Sequence, residues 1–118
     1  MTDYHLTTGK TTIAPDVLMT IARLAALNVE GVSRMSPAPA SVNRLFQRGL
    51  DEGCRIEVQD DAVFADLYII LKKDVNIREV SRNIQNQVAR AISEMVGMQV
   101  GRINIHIEDI DYPEENEA

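Results

Sequence analysis

The chain has 118 residues, of which 45% are hydrophobic and 25% charged, and a formal net charge of -6. That size and balance suit one globular domain with an ordinary core, and they argue against a disordered chain. With no Trp, two Phe and three Tyr, the core has to be built mainly from Ile, Leu, Val, Ala and Met.

The negative charge is concentrated at one end. From Glu108 to Ala118 there are six acids and no bases, while the rest of the chain holds twelve of each. Residues 113–118 read as an acidic, solvated tail on a single domain spanning 1–112. Such a tail repels phosphate backbones and makes nucleic acid an unlikely partner. No segment approaches the roughly 20 apolar residues needed to span a bilayer. Met1 to Lys10 is polar and lacks the apolar core of a signal peptide. The only cysteine, Cys54, allows neither an intramolecular disulfide nor a cysteine cluster for zinc. These features lead to the expectation of a cytoplasmic protein.

Thr8 to Ile13 is β-prone and would form a first strand or tie down the N-terminus. Pro15 and Asp16 then suit the first turn of a helix, where proline loses no hydrogen bond and an acid meets the positive end of the dipole. The spacing of Val17, Ile21, Leu24, Ala25 and Asn28, with Leu18 and Ala22 beside them, predicts an amphipathic helix over 15–28. Gly31 follows it, and Val32 to Met35 is extended. The prolines of Ser36-Pro-Ala-Pro-Ala-Ser41 mark a loop. Val42, Leu45, Phe46 and Leu50 then predict a short amphipathic helix that ends in Gly49 and Gly53.

Arg55 to Gln59 and Val63 to Lys72 alternate as strands on either side of Asp60-Asp61, which predicts a β-hairpin. Asp74 or Asn76 can cap a second long helix reaching about Val96. Its apolar row is Ile77, Val80, Ile84, Val88, Ala91, Ile92, Met95 and Val96. Gly97 stops the helix, and Val100 to Ile107 forms the last strand, with Ile103, Ile105 and Ile107 on one face and Asn104, His106 and Glu108 on the other. The order predicts an α+β fold: a small sheet of about three to four strands, two main helices on one face, and the short helix.

Little in this pattern supports catalysis. His5 and His106 have no nucleophile or second titrating group in any motif around them. Cys54 has only Arg55 to favour a thiolate. Asp60-Asp61 belongs to a turn and Glu114-Glu115 to the tail, so neither pair is set to work as paired acids. Arg78, Arg82 and Arg90 are interleaved with acids and amides on the polar side of the second helix. The nucleotide, hydrolase and metalloprotease signatures are all absent. The reading is a non-enzyme with no cofactor and no catalytic or metal-binding residues.

The hairpin's second strand does suggest an interface. Val63, Ala65, Leu67, Ile69 and Leu71 share one face and should pack under the helices. Phe64, Asp66, Tyr68, Ile70 and Lys72 share the other, and three of those five are large and apolar. Either the short helix at Val42, Leu45 and Phe46 folds over that face, or another molecule covers it. Phe64, Tyr68, Ile70, Val42, Leu45 and Phe46 are therefore the candidate protein-interaction residues.

The sequence also resembles a family. Gly9-Lys-Thr-Thr-Ile-Ala-Pro-Asp-Val17, Ile21-Ala22, Ala25-Ala26 and Gly31-Val32 resemble the opening of the bacterial alkaline-shock, or envelope-stress-response, proteins. Val63 to Leu71, Asn76-Ile77, Val80, Ile84-Gln85, Val88, Met95-Val96-Gly97, Val100 and Ile103 to Ile107 continue the likeness, which covers residues 8 to 111. It departs at Lys73-Asp74, at Cys54 and in the Pro37–Pro39 loop. The resemblance implies a cytoplasmic protein without catalytic residues to carry over. It also implies association with itself, as a homo-oligomer, or with a small membrane-anchored partner at the inner face of the cell membrane. The alternative is a KH-like RNA-binding module, which would need a Gly-x-x-Gly loop between two helices. No Gly-x-x-Gly occurs in the chain.

Overall fold

The computed structural model describes residues 12–37 and 53–113. Its elements are α1 (Pro15–Leu27), β1 (Val32–Met35), β2 (Cys54–Gln59), β3 (Ala62–Lys72), α2 (Ile77–Ala91), a π-helical turn (Ile92–Val96) and β4 (Gln99–Asp111). This is an α+β fold, with the apolar side of one sheet packed against the helices. The short helix expected around Val42, Leu45 and Phe46 lies outside the described residues. So does most of the strand expected at Thr8 to Ile13, and Thr12 and Ile13 are in neither a helix nor a strand.

The strands pair around β3. β4 runs parallel to it along its whole length, from Ala62 opposite Gln99 to Lys72 opposite Asp111. A parallel neighbour needs a long crossover, and α2 supplies it. The other edge of β3 is shared by two antiparallel strands placed end to end. β2 pairs with Ala62 to Leu67 and β1 with Ile69 to Leu71. Tyr68 joins them: its carbonyl accepts from the Ser36 N–H at 2.8 Å, and its N–H donates to the Gly53 carbonyl at 2.8 Å. A side chain at Gly53 would bring Cβ to 2.5 Å from the Ser36 oxygen, and its φ is +78°. Both conditions demand glycine at this joint.

The hairpin forms as expected. Asp60 and Asp61 have φ of 50° and 65°, and Gln59 pairs with Ala62. Two left-handed central residues give a type I′ turn, whose twist matches the strands it joins. Asn76 caps α2, its side-chain oxygen accepting from the Glu79 N–H at 2.9 Å. Gly97, with φ 78°, closes the π-helical turn.

The last strand is longer than expected, 99–111 rather than 100–107, because it pairs along the whole of β3 and contains two bulges. The register slips once opposite Val63 and Phe64 and again opposite Ile69 and Ile70. Each slip adds one residue to β4. The second one reverses the alternation, so that Ile110 still packs against the core and Asp109 and Asp111 stand opposite Ile70 and Lys72.

The core is where β3's sequence places it. Val63, Ala65, Leu67, Ile69 and Leu71 are all buried beneath the helices, and Val80, Ile84, Val88 and Ile92 form the buried row of α2 and the turn that follows it. Two expectations need correction. On α1 the buried residues are Leu18, Met19, Ala22 and Ala26, whereas Val17 and Leu24 are 48% and 56% exposed. So many positions of α1 are apolar that periodicity does not select one face. The side holding Leu18, Met19, Ala22 and Ala26 goes inward. On α2, Ile77 and Met95 are exposed. Ile77 is the first residue of the helix, and the π-helical turn holds an extra residue, which swings Met95 off the core row.

This rotation of α1 can be measured. Leu18→Ala is expected to cost about 2–5 kcal/mol, whereas Leu24→Ala, the same change on the same helix, should stay within about 1 kcal/mol. Chemical denaturation of both variants checks it.

Candidate functional site

Two surfaces bear on function: the side of the sheet away from the helices, and the solvent side of the helix pair.

On the outer sheet face, β3 contributes Phe64, Asp66, Tyr68 and Ile70. The parallel register sets Arg102, Asn104 and His106 of β4 beside the first three, and the antiparallel register sets Arg55 of β2 beside Asp66. Asp66 is the centre of a polar cluster. Arg55 Nη1 donates to Oδ2 at 2.8 Å, and Asn104 Nδ2 donates to Oδ1 at 3.1 Å. His106 Nε2 lies 3.0 Å from Oδ1. A carboxylate can only accept, so Nε2 carries the proton in this contact. The imidazole also stacks on the Tyr68 ring, with centroids 4.6 Å apart and planes 13° from parallel.

Burial by itself raises the Asp66 pKa. The hydrogen bonds from His106 and Asn104, with the charges of His106 and Arg55, outweigh it and hold the carboxyl below its ordinary value. Burial, aided by the Asp66 charge, pushes the Tyr68 phenol above its ordinary value, so the ring keeps its proton at neutral pH. A second tie lies at the far end of the sheet. Asp111 accepts from Ser33 Oγ at 2.6 Å and from Arg34 Nε and Nη2 at 2.9 and 3.1 Å. These bonds join β1 to β4 across β3. Both clusters are spent on holding neighbouring strands together.

The sheet residues expected at an interface differ in accessibility. Tyr68 and Ile70 are only 6% and 4% exposed. Phe64 is half-buried, its ring lying over Gly101, where an added Cβ would come within 2.5 Å of two ring carbons. The glycine at the first bulge of β4 thus makes room for the aromatic ring. Val42, Leu45 and Phe46 lie outside the described residues.

The helix side carries the exposed apolar surface that sequence reasoning had placed in the core. An open groove of about 370 Å³ runs between α1 and the end of α2. Ile21, Leu24, Ala25 and Asn28 line one wall, and Gln87, Arg90, Ala91, Glu94 and Met95 the other. Met95 is 71% exposed. Arg90 Nε pairs with Glu94 Oε2 at 3.1 Å, one helical turn on. Among the described residues its walls hold no histidine, cysteine or serine. Its chemistry is that of an apolar seat with a balanced polar rim. Among the described residues no group of three or more His, Cys, Asp or Glu is placed to hold a metal ion. No helix among them is long and apolar enough to cross a membrane.

Sequence reasoning did not find Asp66. The available signal was a lone acid in the middle of the most apolar strand, which is costly unless partnered. Its partners come from β2 and β4, so only strand register could identify them.

The depressed Asp66 pKa makes a stability prediction. Unfolded aspartate titrates near about 3.9 and the folded group titrates lower, so its contribution is complete above that value and disappears as pH falls through the folded pKa. Asp66→Asn is expected to destabilise the protein at pH 7 and to flatten the acid limb of its stability profile. Urea melts between about pH 2 and 7 measure both effects.

Comparison with other proteins agrees with the sequence resemblance. The chain is 32% identical over 112 residues to the uncharacterized protein YqhY of Bacillus subtilis, covering 93% of this chain and 82% of that one. It is also 32% identical over 103 residues to the uncharacterized protein Spy1535 of Streptococcus pyogenes, covering 86% and 79%. Among solved structures, a variant of the MamM CTD matches at 15% identity and a TM-score of 0.49, covering 80% of this chain and 95% of that one. The profile of one family matches residues 4–112. The chain belongs to the alkaline shock protein 23 family, a family described as having a cell envelope-related function.

Proposed function

We propose that this chain is a non-catalytic protein-interaction module of the cell envelope. It associates with itself, or with a small membrane-anchored protein at the cytoplasmic side of the membrane. The observation that carries this reading is the open apolar groove on the helix pair, where Leu24 and Met95 stand exposed over Ala25 and Ala91. Exposed apolar surface next to an apolar hollow is costly in water and is relieved by a protein partner. The polar cluster around Asp66 supports the same reading from the other side. Its carboxylate is already engaged by three side chains and holds the sheet together.

Of the sheet residues expected at an interface, Phe64 keeps accessible surface, on the face of the sheet opposite the helices. Tyr68 and Ile70 share that face and are buried. A peripheral position at the membrane then comes through the partner.

The test is affinity capture of the full chain from its native cells, with membranes solubilised, alongside RNA filter binding at two salt concentrations. The expected result is a small membrane protein or a second copy of the chain in stoichiometric amount, with weak RNA binding. Tight RNA binding that falls steeply with salt would overturn the reading in favour of a nucleic-acid module.

A further inference from the structure

We infer that residues 38–52 of this chain dock on the outer face of the sheet at Tyr68 and Ile70, with Val42, Leu45, Phe46 and Leu50 turned toward it. The inference goes beyond the interaction-module reading, which rests on the helix side, and concerns the opposite face of the domain.

Tyr68 and Ile70 are buried in a place that the helices do not reach. Both stand on the face of β3 away from α1 and α2, and neither belongs to the apolar cluster beneath those helices. They are nonetheless only 6% and 4% exposed. The His106 ring stacks on one side of Tyr68. The neighbours of Ile70 in the sheet are Arg34 and Asp109, two charged residues that seek water rather than roof over an apolar side chain. Phe64 stands on the same face of the same strand and is only half-buried. Position on β3 is therefore not enough to bury a side chain on this face.

Connectivity brings one segment to the spot. The Ser36 N–H donates to the Tyr68 carbonyl, and the Tyr68 N–H donates to the Gly53 carbonyl, both at 2.8 Å. Residues 38–52, 15 in number, thus begin and end beside Tyr68. α1 packs against both β1 and β2, so the inner side of that edge is occupied. The outer side presents Tyr68, with Ile70 two residues further along β3.

The segment has the matching chemistry. Val42, Leu45, Phe46 and Leu50 recur at intervals of three, one and four residues, the spacing of one side of a helix, and Arg44 and Arg48 fall on the other. A connection this long is uncommon in a small domain unless it has structure of its own. Four large apolar residues left together in water are costly, and docking them on Tyr68 and Ile70 removes both apolar sets from solvent. Tethering selects this occupant over a separate molecule. With both ends held at Tyr68, the segment meets the face at an effective concentration far above that of a free partner. Val42, Leu45 and Phe46 then serve as internal cover, and Phe64 marks the accessible end of the face.

Hydroxyl-radical footprinting of the dilute full chain, read by mass spectrometry, tests the inference. Tyr112 and Ile77, 69% and 47% exposed, are the internal references. In the wild type, Tyr68 and Ile70 are expected to be oxidised far more slowly than these two. Leu45→Glu and Phe46→Glu should each abolish that protection. Leu67 and Leu71, buried on the helix side, should stay protected and so report a folded domain. If Tyr68 and Ile70 of the dilute wild type react as readily as the references, the face is open and the inference falls. Protection that survives both glutamate variants overturns it too, because the flanking strands then suffice. If either glutamate unfolds the domain, a double-mutant cycle of Leu45→Ala and Ile70→Ala decides. The pair is expected to lose less stability than the sum of the single changes, and additive losses overturn the inference.

Discussion

The structure is organised by the burial of one apolar row against two helices. Val63, Ala65, Leu67, Ile69 and Leu71 alternate along β3, and each lies under α1 or α2 with almost no exposure. At roughly 25 cal/mol per Å² of apolar surface removed from water, a continuous row of this kind is the main favourable contribution in so small a domain. Its position fixes the remainder. A strand buried on this face must have both edges paired, because unsatisfied backbone groups cannot be left in the core. β4 takes one edge, and β1 and β2 together take the other.

Putting β1 and β2 in line on one edge has a consequence at Tyr68. The chain leaves the sheet after Ser36 and rejoins it at Gly53, and both ends are fastened to the backbone of that one residue. The same residue's ring stacks on His106, which contacts Asp66, which in turn holds Arg55 and Asn104. Three strands are therefore locked in register by side chains as well as by backbone pairing. A half-buried carboxylate with several donors defines register sharply, since a slip of one residue would strand its charge on the wrong face.

The two helices contribute unequally. α2 is amphipathic in the ordinary way, with one buried row and a polar remainder that includes Gln85, whose amide donates to the Ile103 carbonyl at 3.0 Å and pins the helix to β4. α1 is apolar on more of its circumference than the sheet can cover. That excess, with the π-helical turn that brings Met95 to the rim, produces the groove. The proposed interaction through the helix side leaves the polar groups of the sheet to rigidity, in a family described as having a cell envelope-related function.

The sequence by itself determined the order of the described elements, the hairpin with its two-residue turn, the Gly97 stop and the inward face of β3, and it narrowed the α2 cap to Asp74 or Asn76. All of these follow from local chemistry: strict alternation, turn residues, or a side chain reaching a nearby N–H. The buried row of α2 was legible at Val80, Ile84, Val88 and Ile92, because polar residues fill the rest of the helix. The sequence did not determine which side of α1 faces inward. Val17, Ile21 and Leu24 make as good an apolar row as Leu18, Ala22 and Ala26, and only packing against the rest of the core buried the second set. Nor could it show the bulges of β4, the partners of Asp66, or the exposure of Met95. Each depends on the register of strands far apart in sequence, or on one extra residue in a helical turn, and tertiary packing decides both.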